Sequence, residues 1–495
     1  MTRLLSRRHF LASAAALSAA PFIAASPLGA GMARAGQARE LFVERRTLEV
    51  RGRPASVFGL RRADGGSGLV LDPGEAFRLR LHNRLDVETI VHWHGQTPPP
   101  DQDGVTNTGY VAPIAAGTAA DYDFVARPGT HWMHSHHGLQ EMNLLAAPLI
   151  VRSAADAALD AQEVTLLLHD FSFRSPEEIL AGLGGAMGHG DMGHGATDDG
   201  AMDQGTMNHG AMGQGAMNHG AMNHGSGGMD LNDVEFDAYL ANDRTLDDPE
   251  VVRVERGGRV RLRLINGASG TAFWIDFGGI QASLIAVDGN AVTPLPVGRL
   301  PLAQGQRADF LIEVAAGGTV PVLAQREGDR VRTGIVLAAP GAPVTKIDGS
   351  AETIAPPADL SVERRLVAGE ALAERPAAVT RQIRLTGAMM PYVWTLDGRS
   401  WADRVPVEAA AGQRVVIEMV NESMMAHPMH LHGHHFDVVS IDGIPLRGAR
   451  RDTVLVPIGG RVGIAFDADN PGRWLFHCHN LLHMATGMMT EVVYA

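Results

Sequence analysis

Apolar and polar residues alternate with a period of two along most of this chain, in short runs broken by turn residues. Leu69-Val70-Leu71 stops at Asp72-Pro73-Gly74, and Phe77-Arg78-Leu79-Arg80-Leu81 then alternates in and out. Thr89 to Gly95 follows, then a proline cluster at Pro98–Pro100 and the turn Asp101-Gln102-Asp103-Gly104. Tyr122 to Val125 leads through Pro128-Gly129-Thr130 to the run His131–Gly138. A strand turns successive side chains to opposite faces, so the stretch from about Glu40 to Val151 reads as a β-sandwich.

The same pattern recurs twice. A second unit begins at Gln162–Leu168, breaks at a low-complexity segment over about 184–229, and resumes at Ala238-Tyr239-Leu240, Val260–Asn266 and Ala282–Gly289. A Pro/Ala-rich connection, about Pro340 to Ala378, leads to a third unit from Arg381 to the C-terminus. At 495 residues the length also fits about three domains. The expected fold is all-β, with domains at 36–155, 156–345 and 346–495. Between His224 and His427 there is no histidine, so the middle unit reads as architectural.

The first 35 residues read differently. Ser6-Arg7-Arg8-His9-Phe10-Leu11 precedes an apolar run to Ala25 and then Ala33-Arg34-Ala35. Paired arginines, a modest apolar core and an A-x-A site resemble a twin-arginine export signal over 1–35, which implies a periplasmic protein. The apolar run is shorter than the roughly 20 residues that span a bilayer, and no membrane insertion is expected after the leader is removed. The leader carries four arginines and no acidic residue, so its removal takes the formal charge from −13 to about −17. That acidity argues against nucleic acid or anionic lipid as a partner.

The chemistry concentrates in a few places. Cys478 is the only cysteine, so it has no partner for an intramolecular disulfide. It lies between His477 and His479, with His483 and Met488 beyond. On a strand the two flanking imidazoles face one way and the thiol the other. A thiolate with imidazoles and a weak axial thioether is the donor set of a blue-copper site. Three further clusters supply imidazoles: His92 and His94; His134 and His136; His427, His430 and His432.

These four clusters, HxHG, HxH, HxxHxH and HCHxxxHxxxxM in chain order, resemble the signatures of the multicopper oxidases. The resemblance implies three cupredoxin-like Greek-key β-sandwich domains and four copper ions. It implies a type 1 copper on His427, Cys478, His483 and Met488, and a type 2 copper on His92 and His430. The type 3 pair would then sit on His94, His134 and His479, and on His136, His432 and His477. His131, His137, His434 and His435 are left as bystanders. The trinuclear site is expected between the first and last domains, with Cys478 joining it to the blue site. Met488 as axial ligand places the chain with the moderate-potential members. Asp103 matches the family acid that helps protonate reduced oxygen, so Asp103 and Cys478 are the expected catalytic residues. Many bacterial relatives carry a second acid where this chain has Met484.

Residues 206–225 repeat every five, with Met207, His209, Met212, Met217, His219, Met222 and His224 as the donors. Glycine abounds and branched apolar residues are missing, so the segment is expected to be disordered. Thioethers favour Cu(I), and imidazoles can take Cu(II), which makes copper capture the expected role. Similar insertions mark the copper-resistance branch of the family, whose members oxidise Cu(I) and also phenols. The expected activity is therefore a periplasmic oxidase with dioxygen as acceptor and Cu(I) or a phenol-like donor, serving copper tolerance. A laccase confined to organic phenols and a non-enzymatic copper-binding protein are the alternatives. Met424, Met425 and Met489 flank blue-site ligands, either lining an approach for Cu(I) or packing in the core.

Overall fold

In the computed structural model, residues 38–184, 231–255 and 258–494 are described. The leader over 1–35 lies outside them, as do Met207, His209, Met212, Met217, His219, Met222 and His224. Among the described residues six sheets form three cupredoxin-like sandwiches of two sheets each.

In the first domain one sheet runs Arg53–Arg62, Arg39–Val50, Phe77–Asn83, Ala119–Phe124, and the other Leu69–Leu71, Ala146–Val151, Gly129–Ser135, Val91–His94. The strand Phe77–Asn83 shows how the alternation works. Phe77, Leu79 and Leu81 are buried against Trp93, Tyr122 and Phe124. Arg78 and Arg80 point outward and pair with Asp123 and Asp121 on the neighbouring strand. Such exposed pairs contribute under about 1 kcal/mol each, so the apolar face does the holding.

The second domain pairs a six-stranded sheet with a five-stranded one around Leu262, Leu264, Phe273 and Phe310. The third pairs a sheet built on Val379–Met389, Arg414–Asn421 and Arg461–Asp467 with one ordered Val407–Ala409, Met489–Tyr494, Arg473–Cys478, His427–Leu431, Thr453–Val456.

The histidine-bearing strands break the half-exposed rule. Val91–His94, Gly129–Ser135 and His427–Leu431 are buried at every residue. In Val91–His94, for instance, Val91 and Trp93 fill their own sandwich. His92 and His94, on the other face, meet histidines of the third domain. The sheet face that would ordinarily meet solvent is instead an interface between domains.

Candidate metal centre

Strand register assembles the imidazoles in pairs. His92 lies directly opposite His134 in the antiparallel pairing of Val91–His94 with Gly129–Ser135. His430 lies opposite His477 where His427–Leu431 pairs with Arg473–Cys478. With the i, i+2 neighbours His94, His136, His432 and His479, each domain presents four imidazoles. The two sets interleave: His94 stacks on His430 with ring centroids 3.8 Å apart, and His92 on His432 at 3.9 Å.

Three groups of nitrogens converge there: His92, His94 and His430; His94, His134 and His479; His136, His432 and His477. Within each group the donor atoms lie within 4.8 Å of one another. In the last group the Nε2 atoms of His432 and His477 are 2.9 Å apart.

The other ring nitrogens show which atom is free to ligate. Nδ1 of His92 donates to the main-chain oxygen of Asp103 at 2.8 Å, and Nδ1 of His430 to that of Asp452 at 2.9 Å. Nδ1 of His477 donates to the carbonyl of Cys478 at 2.8 Å, and Nδ1 of His432 to Oδ2 of Asp103 at 2.9 Å. Nδ1 of His134 donates to the carbonyl of Ser135 at 3.1 Å, with a carboxyl oxygen of Glu141 2.7 Å away. In His94 the roles reverse, with Nε2 3.1 Å from Oδ1 of Asp452. Carbonyls and ionised carboxylates only accept, so each ring carries its proton outward and turns a lone pair inward. The inward atoms, Nε2 of His92, His134, His136 and His430 and Nδ1 of His94, are buried and have no hydrogen-bond partner, as are both nitrogens of His479.

An unpaired buried nitrogen costs about 1–3 kcal/mol. Several converging on one spot are what a metal cluster requires of its ligands, with the outer hydrogen bonds orienting each ring. Burial, with charged neighbours adding to it, holds the imidazoles of His94, His134, His136, His430 and His432 well below their ordinary range. Burial brings His477 down to about 4. Neutral imidazole is the ligating form. The residues present fit copper.

The second group lies on the opposite face of the Cys478 strand. Sγ of Cys478 is 3.6 Å from Nδ1 of His427 and 3.6 Å from Nδ1 of His483, and those two nitrogens are 3.1 Å apart. A five-residue helix, Leu481–Ala485, returns His483 to the cysteine, and Asn480 caps its first turn through the amides of Leu482 and His483. Met488 is fully buried and closes the loop: Cys478 N–H donates to its carbonyl, and its own N–H donates to that of His483, both at 3.1 Å. Burial pushes the Cys478 thiol well above its usual range, so in the metal-free chain it is protonated. Metal binding would displace that proton.

Several residues at these sites escaped sequence reasoning. Glu141 and Asp452 hold cluster histidines, and burial followed by repulsion from Asp170 pushes the Glu141 carboxyl well above the usual carboxylate range. Asp233 of the second domain, its side chain buried, holds Nε2 of His483 at 3.1 Å. Arg307, also of the second domain, is fully buried against Asp452. The middle domain therefore reaches both sites, which corrects its reading as architectural. No spacing signal marks these four, because their partners lie in other strands or other domains. Among the described residues, none of the bystanders His131, His137, His434 and His435 enters a converging group. Met425 and Met489 are buried, the latter beside Val105 and Leu475, whereas Met424 is 67% exposed.

Comparison with known proteins agrees with the geometry. Family profiles described as multicopper oxidase match residues 43–156, 197–335 and 374–495. The chain is 30% identical to multicopper oxidase MmcO of Mycobacterium tuberculosis over 430 residues, which is 85% of this chain and 80% of that one. It is 26% identical to copper resistance protein A of Pseudomonas syringae pv. tomato across 98% of both. Its fold superposes on the multi-copper oxidase of Pseudomonas thermotolerans with a TM-score of 0.67, at 24% identity, covering 93% of this chain and 99% of the other. With these matches and two buried donor clusters that suit copper, the chain belongs to the multicopper oxidase family and is an oxidoreductase that uses dioxygen.

Proposed function

We propose that this protein oxidises Cu(I), and phenol-like donors, one electron at a time and reduces dioxygen to water, in the periplasm, in the service of copper tolerance. The reaction balances as four Cu(I), one dioxygen and four protons giving four Cu(II) and two waters.

The ligand sets proposed are those that the family resemblance implies, and the converging groups of nitrogens support them. His427, Cys478, His483 and Met488 would hold a type 1 copper, and His92 and His430 a type 2 copper. His94, His134 and His479, with His136, His432 and His477, would hold the type 3 pair. Bound there, copper supplies one-electron transfer at the first site and dioxygen reduction at the other three positions.

The chain's own residues do the rest. Cys478 and its neighbours His477 and His479 make a covalent bridge of a few bonds between the two sites. Asp103 lies fully buried with Oδ1 3.3 Å from Nδ1 of His92 and Oδ2 2.9 Å from Nδ1 of His432. In that position it would pass protons inward while orienting one ligand from each domain. Met484, which stands where many bacterial relatives place an acid, is partly buried among apolar side chains.

The observation that carries the choice of donor is the five-residue Met/His repeat over 206–225. Thioethers bind Cu(I) in preference to harder ions. The name of the Pseudomonas syringae relative, copper resistance protein A, supports the same reading. Oxygen uptake by the copper-loaded protein with Cu(I) and with a phenol tests it, for the full chain and for one lacking 186–229. Cu(I)-driven uptake is expected in the full chain and a several-fold loss on deletion, with phenol oxidation kept. No uptake with Cu(I) would overturn the proposal, and unchanged Cu(I) turnover on deletion would assign the enzyme to organic donors. Export is tested separately by replacing Arg7-Arg8 with lysines, which should leave the protein in the cytoplasm.

A further inference from the structure

We propose that Arg307, in the second domain, is a positioning residue for the trinuclear site, acting through Asp452 on His94 and His430. The inference rests on the assignment of those two histidines as ligands.

Arg307 is fully buried at the start of the strand Arg307–Glu313. Its guanidinium grips Asp452 with both terminal nitrogens, NH1 donating to Oδ1 at 2.7 Å and NH2 to Oδ2. Three domains share this one side chain: NH1 also donates to Gly305 O at 2.9 Å, and Nε donates to Thr130 O of the first domain at 3.1 Å.

The side chain so gripped faces the cluster. Oδ1 of Asp452 lies 3.1 Å from Nε2 of His94 and 2.9 Å from the Thr453 hydroxyl, which is itself 3.1 Å from Nδ1 of His430. The carbonyl of Asp452 accepts from the same nitrogen of His430 at 2.9 Å. One residue thus sets the ring orientation of two histidines from different domains, and Arg307 sets that residue.

Two glycines show how tightly the unit is fitted. A Cβ on Gly95, directly after His94, would stand 2.5 Å from NH2 of Arg307 and 2.9 Å from Oδ2 of Asp452. A Cβ on Gly305, in the turn just before Arg307, would stand 2.8 Å from Cδ2 of His479 and 3.2 Å from Cε1 of His94. Both have positive φ, so glycine is required for backbone and space alike. The second-domain turn is pressed directly on two cluster histidines.

Lysine at 307 would keep the charge but lose the two-pronged grip. Copper-loaded Arg307→Lys should retain the blue absorption of the Cys478 site at full intensity. The type 2 electron paramagnetic resonance signal should shift. Retention of the trinuclear coppers against a chelator should weaken at least tenfold. Asp452→Asn, close in shape to the native side chain, should show the same split and is measured in parallel. An unchanged type 2 signal and unchanged copper retention in either purified variant would overturn the proposal. So would equal damage to the blue site, which would mean a general loss of structure. A native protein with no type 2 signal would instead overturn the ligand assignment on which the proposal rests.

Discussion

Asp103 of the first domain accepts a 2.9 Å hydrogen bond from Nδ1 of His432 in the third, while its other oxygen lies 3.3 Å from Nδ1 of His92. One carboxylate thus touches a histidine from each half of the converging cluster. Asn at 103 keeps the shape and removes the proton-carrying group. Asp103→Asn should lower kcat for oxygen reduction by about 100-fold, the usual contribution of a positioned acid. Rapid reduction of the blue site by donor should be unchanged, because Cys478 and its ligands lie on the other strand face. Stopped-flow bleaching of the blue band against steady-state oxygen uptake separates the two. A loss in both steps would contradict the assignment.

Met488 is held by main-chain hydrogen bonds to Cys478 and His483, so its side chain can be changed with little effect on the loop. An axial thioether stabilises the oxidised form of a blue site relative to an apolar side chain. Met488→Leu should raise the reduction potential and leave the blue colour. A redox titration that shows no change or a fall would rule out Met488 as an axial ligand.

Removing copper should lower the thermal midpoint, since the ligands of the trinuclear site come from two domains and bound metal joins them. The loss should grow in acid. Burial depresses His477 from the ordinary 6.5 to about 4. A depressed imidazole contributes stability that is present above about 6.5 and lost as pH falls through 4, because the unfolded chain binds the proton first. The midpoint of the copper-free protein should therefore drop between pH 7 and pH 4, and His477→Gln should reduce that drop. Calorimetry of chelator-treated protein provides the measurement.

Glu327 makes the opposite prediction. It is buried at the end of the strand Thr319–Arg326, accepts from the amide of Ala358 at 2.6 Å, and burial raises it from 4.5 to about 7. A raised carboxyl favours folding below the unfolded value near 4.5, and that contribution is lost as pH rises through 7. The full swing is about 3 kcal/mol. Glu327→Gln keeps an acceptor for Ala358 and removes the charge. Its midpoint should match the parent at pH 5 and exceed it at pH 8. Equal midpoints at both values would show that Glu327 is not a strained carboxylate.

Two levels of organisation can be separated. Alternation at period two was enough for an all-β chain with three sandwich units, because the side-chain direction on a strand depends only on local geometry. The i, i+2 histidines and the position of Cys478 between His477 and His479 were legible for the same reason. Each such pair shares a face wherever the strand goes. The metal chemistry followed from donor type. Tertiary structure alone decided the pairing of His92 with His134 and of His430 with His477, since register depends on partners far along the chain. It alone decided that Asp452, Glu141 and Asp233 hold histidines of the converging groups. It also placed Arg307 of the second domain beside the cluster. A buried ligand ring needs an acceptor on its outer nitrogen, and any nearby oxygen can serve. Spatial neighbourhood supplies that partner, and no sequence interval records it.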